Sequence, residues 1–253
     1  MASRFTINGN STLPKVPMST DNELHPNLKP PLDSITSGKL VVISGAAGSG
    51  KSSILLNLFL LPKCKKTKKK CNFKACFDAV FVVSPSMGSF RTNIFESIPD
   101  EYKFDNLLDF LDSYRDMVEP DSEVCIILDD VGSQIRTKEV LHKFSHLVQN
   151  RRHQHLTIFC LVQTVGMLNP AMRDSMNMLI TFKPKTFREK ELIFELTGLP
   201  KKHMEDFYSS CYVNKHDSVL VDMTLRRSND YQFYRNLFDP ITIAGDKKEE
   251  LIK

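Results

Sequence analysis

Apolar runs of strand length alternate along this chain with stretches whose apolar residues recur at helical spacing. The continuous runs predict strands near Leu40 to Ser44, Ala79 to Ser84, Val124 to Leu128, Thr157 to Val162, Met178 to Phe182 and Val219 to Leu225. Between them, segments such as LLDFLDSYRDMV carry a helical period. They predict helices over Ser52 to Leu61, Asp105 to Val118, Thr137 to Arg151 and Arg188 to Leu196. Strands that are apolar throughout, rather than alternating, are those buried on both faces. The pattern therefore predicts an α/β fold, a mostly parallel sheet with helices on both faces. No internal repeat of 20 to 50 residues is present.

Composition fits that picture. With 253 residues, of which 41% are apolar, the chain suffices for one α/β domain with appendages. Residues 1–38 are polar and carry Pro14, Pro17, Pro26, Pro30 and Pro31, and so predict an extended arm that adds an edge strand or drapes over a neighbour. The domain itself is expected over 39–240, with a lysine- and cysteine-rich insertion at 62–76 and a polar tail at 241–253. No run approaches the roughly 20 apolar residues of a membrane span, and no secretory signal precedes the domain. A soluble protein working inside a cell is expected. Of the six cysteines, Cys125 and Cys160 lie in strand runs as small hydrophobes, and no disulfide framework is suggested. The net charge of +4 is too small to argue a nucleic-acid partner; its uneven distribution matters more.

The first candidate chemistry lies between the first strand and the first helix. Gly45, Ala46, Ala47, Gly48, Ser49, Gly50, Lys51, Ser52 and Ser53 read GAAGSGKSS, and the first eight fit G-x-x-x-x-G-K-S/T. Small residues there let successive backbone N–H groups converge on an anion at a helix N-terminus. Lys51 then bridges the β and γ phosphates of a nucleotide, and the Ser52 hydroxyl ligates Mg²⁺. An ordinary strand-to-helix turn is the plainer alternative. A triphosphate also needs its metal held from a second side by a carboxylate at the tip of an apolar strand, and EVCIILDDV supplies one. Asp129 is the candidate Mg²⁺ residue, and Asp130 can point toward a water in line with the γ phosphate. A solvated turn would read the same way.

The next strand, LTIFCLVQT, ends in Gln163 and Thr164. If it lies between the loop strand and the Asp129 strand, Gln163 emerges beside the γ phosphate as a sensor; otherwise it is a polar residue ending a strand. Ahead of that strand stands QNRRHQH. Strand rise puts Arg151 and Arg152 roughly 20 Å from the strand's far end, beyond the reach of an arginine in the same chain. Either could serve a neighbouring subunit's site as an arginine finger, or the pair complements a helix dipole.

GAAGSGKS, ILDD, the arginine pair before a strand and the glutamine after it together resemble the genome-packaging ATPases of nucleocytoplasmic large DNA viruses and virophages, within the FtsK–HerA superfamily. The resemblance covers about Lys39 to Pro240 and includes FYRNLFDPI, similar to the closing strand and Asn/Asp-containing tail of those proteins. It implies a RecA-like P-loop NTPase core of the ASCE type, with ATP and Mg²⁺ as cofactors. It further implies a hexameric or pentameric ring, translocation of double-stranded DNA into a preformed capsid, and partners at the capsid or portal vertex. The location implied is the host cytoplasm or viral factory, with possible retention in the virion. Lys51 and Ser52 carry over as nucleotide ligands, Asp129 as the metal acid, Asp130 as the water-activating acid, Gln163 as sensor and Arg152 as finger. Many superfamily members have Asp-Glu where this chain has Asp129-Asp130, so the shorter side chain is a departure.

Other features leave alternatives open. Six lysines between Lys63 and Lys70 could contact DNA phosphates or form a solvated loop. Cys64, Cys71 and Cys76 match no common zinc spacing, and His142 and His146, four apart on a helix, lack the glutamate of a zinc motif. Arg226, Arg227 and Arg235 could line a DNA channel or pair with acids. Two other functions compete: a P-loop small-molecule kinase, for which no arginine-rich lid is evident, and an assembly protein controlled by nucleotide occupancy.

Overall fold

A computed structural model describes residues 5–7, 38–60, 77–86, 98–223, 232–237 and 239–243. The strands are β1 (Phe5–Ile7), β2 (Leu40–Ser44), β3 (Ala79–Val83), β4 (Lys103–Phe104), β5 (Val124–Asp129), β6 (Leu156–Val162), β7 (Met178–Phe182), β8 (Ser218–Asp222), β9 (Phe233–Arg235) and β10 (Asp239–Ile243). The helices are α1 (Lys51–Leu60), α2 (Leu107–Met117), α3 (Lys138–Asn150), α4 (Pro170–Asp174), α5 (Phe187–Thr197) and α6 (Met204–Cys211). All ten strands form one sheet in the order β1-β10-β9-β8-β7-β2-β6-β5-β3-β4.

From β7 to β4 every pairing is parallel, as expected of apolar strands covered on both faces. Beyond β7 the sheet continues antiparallel through β8, β9 and β10, and Phe5–Ile7 closes its edge against Ile241–Ile243. The arm thus contributes an edge strand, and β10 continues past position 240 into the stretch expected as tail. The strand predicted as Val219 to Leu225 is Ser218–Asp222; Thr224 and Leu225 lie outside the described residues. So do the lysine run with Cys64, Cys71 and Cys76, Arg226 and Arg227, and most of the predicted arm and tail.

Side chains alternate between two cores, as the two-residue period of a strand requires. Leu40 and Val42 of β2 join Ile126, Leu128, Ile158 and Cys160 on one face, under α2, α3, α5 and α6. Val41 and Ile43 join Ile127, Phe159 and Leu161 on the other, under Ile54, Leu55, Leu58 and Phe59 of α1. In α3 the buried set Val140, Phe144, Leu147 and Val148 follows the spacing of a single helical face. Cys125 and Cys160 are buried and free; burial and the nearby Asp129 charge push the Cys160 thiol up to about 12. Both are packing residues. His146 spends its contacts on Asn150, and among the described residues no cluster of three His, Cys, Asp or Glu is arranged to hold a metal.

At the amino ends of the central strands, a buried polar knot ties three elements together. Asn177 Oδ1 accepts the Leu40 N–H at 2.8 Å and an N–H of Arg151 at 3.0 Å. Arg151 also donates to the Val148 carbonyl at 2.6 Å and the Ser175 carbonyl at 2.8 Å, and burial lowers its pKa. Removing the shared acceptor leaves the Leu40 N–H without its partner and takes one of three acceptors from a largely buried guanidinium. Asn177→Ala is expected to lower the unfolding free energy by about 3 kcal/mol in urea titration. A loss below roughly 0.5 kcal/mol, the range of an inert surface change, contradicts this description of the knot.

Candidate active site

The GAAGSGKSS segment leaves β2 and enters α1 with a geometry that its small residues permit. The Gly45 N–H donates to the Val162 carbonyl at 3.1 Å, anchoring the loop's first residue to the neighbouring strand. A Cβ on Gly45 would fall 2.6 Å from Ser49 Oγ and 2.9 Å from Phe182 Cβ, so no larger residue fits without displacing the loop. Gly48 and Gly50 take φ values of 72° and 115°, where a side chain is strained. Ala47, Gly48 and Ser53 are exposed; Ala46, Ser49, Gly50, Lys51 and Ser52 are partly buried. No acidic residue occupies the first turn of α1, so its positive dipole end is left available to an anion.

Two observations bear on whether a phosphate group fits this concavity. Lys51 Nζ turns back onto the loop, donating to the Gly45 carbonyl at 2.6 Å and the Ala46 carbonyl at 3.2 Å, and makes no ion pair among the described residues. Ser49 Oγ is buried with no hydrogen-bond partner. An ammonium folded onto carbonyls of a glycine-rich loop at a helix N-terminus is placed where it could turn to phosphate oxygens.

The acid pair stands two strands away. Because β6 pairs with β2 and β5 at once, Ile43, Leu161 and Asp129 fall in one row across the sheet. Asp129 therefore emerges at the level of the loop, roughly 10 Å to its side by strand spacing. Burial and the adjacent Asp130 charge raise the Asp129 pKa, opposed by Lys51; burial lowers the Lys51 pKa, opposed by both acids. No hydrogen bond or ion pair engages the Asp129 carboxylate among the described residues. The Ser52 hydroxyl and the Asp129 carboxylate are hard oxygen donors of the kind that suit Mg²⁺, which keeps several of its waters.

Asp130 adopts φ 55°, a left-handed conformation that aspartate tolerates better than most residues. The chain turns there, and the Asp130 carboxylate accepts a hydrogen bond from Gln163 Nε2 at 3.3 Å. The strand carrying Gln163 does lie between β2 and β5, as the sensor reading requires. Lys51, Asp129, Asp130 and Gln163 thus gather at the carboxyl ends of three adjacent parallel strands. A pocket of about 290 Å³ opens beside the loop, bounded by Gly45, Ala46, Gln163, Phe182 and Glu189.

The arginine pair lies at the opposite end of β6. Arg151, one of the two finger candidates, is buried in the Asn177 knot and is a structural residue. Arg152 is exposed beside Lys39, His153 and Asp174 in a cleft of about 790 Å³ at the amino ends of the strands. Its neighbour's burial leaves Arg152 as the arginine open to a second molecule. Arg235, for which a DNA channel or an acid partner was open, approaches Asp239 at 3.8 Å.

Three contacting residues have no local sequence signal that points to this loop. The ring of Phe182, at the end of β7, covers Gly45 and Gly50. His216, in the loop before β8, sets its Nδ1 3.0 Å from the Ser49 carbonyl and so braces the loop from outside. Glu189 of α5 reaches Ser44, the residue before the loop. These approaches span more than a hundred positions of chain, and only the tertiary fold creates them.

No protein-family model matches the sequence, and no curated protein matches it. Solved structures do. The DNA-packaging ATPase B204 of Sulfolobus turreted icosahedral virus is similar over 82% of this chain and 100% of its own, with 15% identity and a TM-score of 0.53. The genome packaging NTPase B204 of Sulfolobus turreted icosahedral virus 2, in complex with ATPγS, is similar over 74% of this chain and 92% of its own (14% identity, TM-score 0.48). The cytoplasmic domain of the Thermomonospora curvata Type VII secretion ATPase EccC matches 81% of this chain and 25% of its own (13% identity, TM-score 0.49). At such identities the likeness is one of fold: this chain has the mixed α/β, mostly parallel, helix-flanked architecture of RecA-like P-loop ATPases.

Proposed function

We propose that this chain is an Mg²⁺-dependent ATPase of the FtsK–HerA kind that assembles into a ring and drives double-stranded DNA, with viral genome packaging as its setting. The observation that carries the reading is the meeting of Lys51, Asp129, Asp130 and Gln163 at one end of the sheet, with the exposed Arg152 at the other. In this reading the loop from Gly45 to Ser53 binds the phosphates through the Lys51 ammonium and through backbone amides other than those of Gly45 and Ser49, which already donate to the Val162 and Ala46 carbonyls. Ser52 and Asp129 would hold the Mg²⁺, which would supply charge neutralisation to the phosphates. Asp130 accepts a proton from the attacking water, and Gln163 orients that carboxylate and senses the γ phosphate. Arg152 lies a strand length from its own loop, so it serves the next subunit. The sequence resemblance supports the choice of DNA, capsid vertex and ring; the fold likeness to a DNA-packaging ATPase is consistent with it.

ATP hydrolysis by the purified chain should rise on addition of duplex DNA. Lys51→Ala is expected to abolish both basal and stimulated turnover. Asp130→Asn should lower kcat by roughly 10²- to 10⁴-fold while still binding nucleotide, because it keeps shape and loses the base. Turnover that needs a small-molecule acceptor would point to a kinase, turnover that survives Asp130→Asn would remove Asp130 as the base, and nucleotide binding without turnover would point to an assembly protein.

Subunit sharing has its own test. Arg152→Ala and Lys51→Ala proteins should each be inactive alone. Mixed in equal amounts, they pair an intact loop with an intact arginine at about a quarter of the interfaces of a head-to-tail ring, and activity should return to that extent. No recovery at any ratio counts against a finger acting between subunits.

A further inference from the structure

Glu189 is the buried charge that this reading leaves without a task. It lies in the first turn of α5, a helix whose Glu191 and Glu195 approach Lys201 at the surface, yet Glu189 is only 9% exposed. No cation pairs with it among the described residues. A buried carboxylate without an ion-pair partner is costly unless it is hydrogen-bonded, so its contacts matter.

The sequence predicts a different use for this side chain. Thr186-Phe187-Arg188-Glu189 has the form of a capping box, in which the glutamate returns to the N-cap backbone. Half of the box forms: Thr186 Oγ1 accepts the Glu189 N–H at 3.2 Å. The carboxylate, however, extends away from its own helix. Its Oε1 accepts the Val165 N–H at 2.7 Å and lies 3.5 Å from Ser44 Oγ. One oxygen therefore joins the last residue of β2, immediately before the phosphate loop, to the segment immediately after Gln163.

What this joins is short. Gln163 and Thr164 form a two-residue bridge between Val162, whose carbonyl accepts the Gly45 N–H at 3.1 Å, and Val165, whose N–H is held by Glu189. Both ends of the bridge are thereby tied to the loop side of the site, one through Gly45 and one through Glu189. The Gln163 side chain is exposed and makes a single 3.3 Å bond to Asp130, so its aim depends on that backbone. We propose that Glu189 is a positioning residue that fixes Gln163 against Asp130 by clamping Val165 to the end of β2. The inference rests on the ATPase reading above and adds to it a link between the sensor and the phosphate loop.

The reach of an acceptor oxygen, not negative charge, is what the clamp requires, and this separates it from a general structural role. In the full-length protein, Glu189→Ala should lower kcat roughly 10- to 100-fold, as expected for a misaimed catalytic group. The Kd for a non-hydrolysable ATP analogue should stay within about twofold, because the loop keeps its own anchor from the Gly45 N–H to the Val162 carbonyl. Glu189→Gln, whose amide oxygen still reaches Val165, should recover most of the rate; Glu189→Asp, one methylene short, should not, and it supplies the same split if the alanine variant fails to fold. Unchanged kcat in both Glu189→Ala and Glu189→Asp overturns the inference, as does Glu189→Gln falling as far as Glu189→Asp. If the wild-type protein does not hydrolyse ATP at all, the ATPase reading fails and this inference with it. A hydrolysing wild type with indifferent variants removes the clamp alone.

Discussion

Where β6 pairs with β2 on one side and β5 on the other, Ile43, Leu161 and Asp129 fall in one row, and the position of every candidate group follows from that register. Parallel strands present their carboxyl ends together, so a loop after β2, an acid pair after β5 and a glutamine after β6 emerge on one edge. A slip of one residue in either ladder would turn each strand's side chains to the wrong face and move Asp129 off the level of the loop. The two cores guard against that slip, since each of these strands buries alternate residues in both. Packing far from the site is therefore what sets its geometry.

The same burial that holds the register also shapes the electrostatics. Lys51 and Asp129 are both shifted toward their neutral forms by desolvation, and each is pulled back by the other's charge. Neither finds an ion-pair partner among the described residues. Lys51 folds onto loop carbonyls instead, and Ser49 Oγ is left without a partner. Groups desolvated without being satisfied are poised for a ligand that brings the missing charges, which is the condition for strong binding in a water-poor pocket.

Much of this was legible in the chain because it is local. β2 and β7 fall at their predicted boundaries, and α1, α2, α3 and α5 within two residues of theirs, since period and length specify such elements without reference to the fold. The GAAGSGKSS loop and the acid pair are equally local, being short motifs at strand tips. The antiparallel half of the sheet was not foreseen, because the direction of β8, β9 and β10 depends on partners distant in sequence. Short helices such as α4 and α6 escaped because one or two turns repeat the period too few times to stand out. Arg151 and Arg152 could not be separated by pattern: adjacent residues at a helix end diverge, one into the Asn177 knot and one into solvent. Glu189 carried a misleading signal, as its capping-box spacing conceals a contact 24 residues away.

On the proposed reading the site is divided between the two ends of the same sheet, and a second subunit is needed to complete it. The most direct measurement is specific ATPase activity across a dilution series, with the mass of the species recorded by light scattering at each concentration. Activity per subunit should climb as rings assemble and vanish in the monomer. A monomer that hydrolyses ATP at the full per-subunit rate would contradict the account.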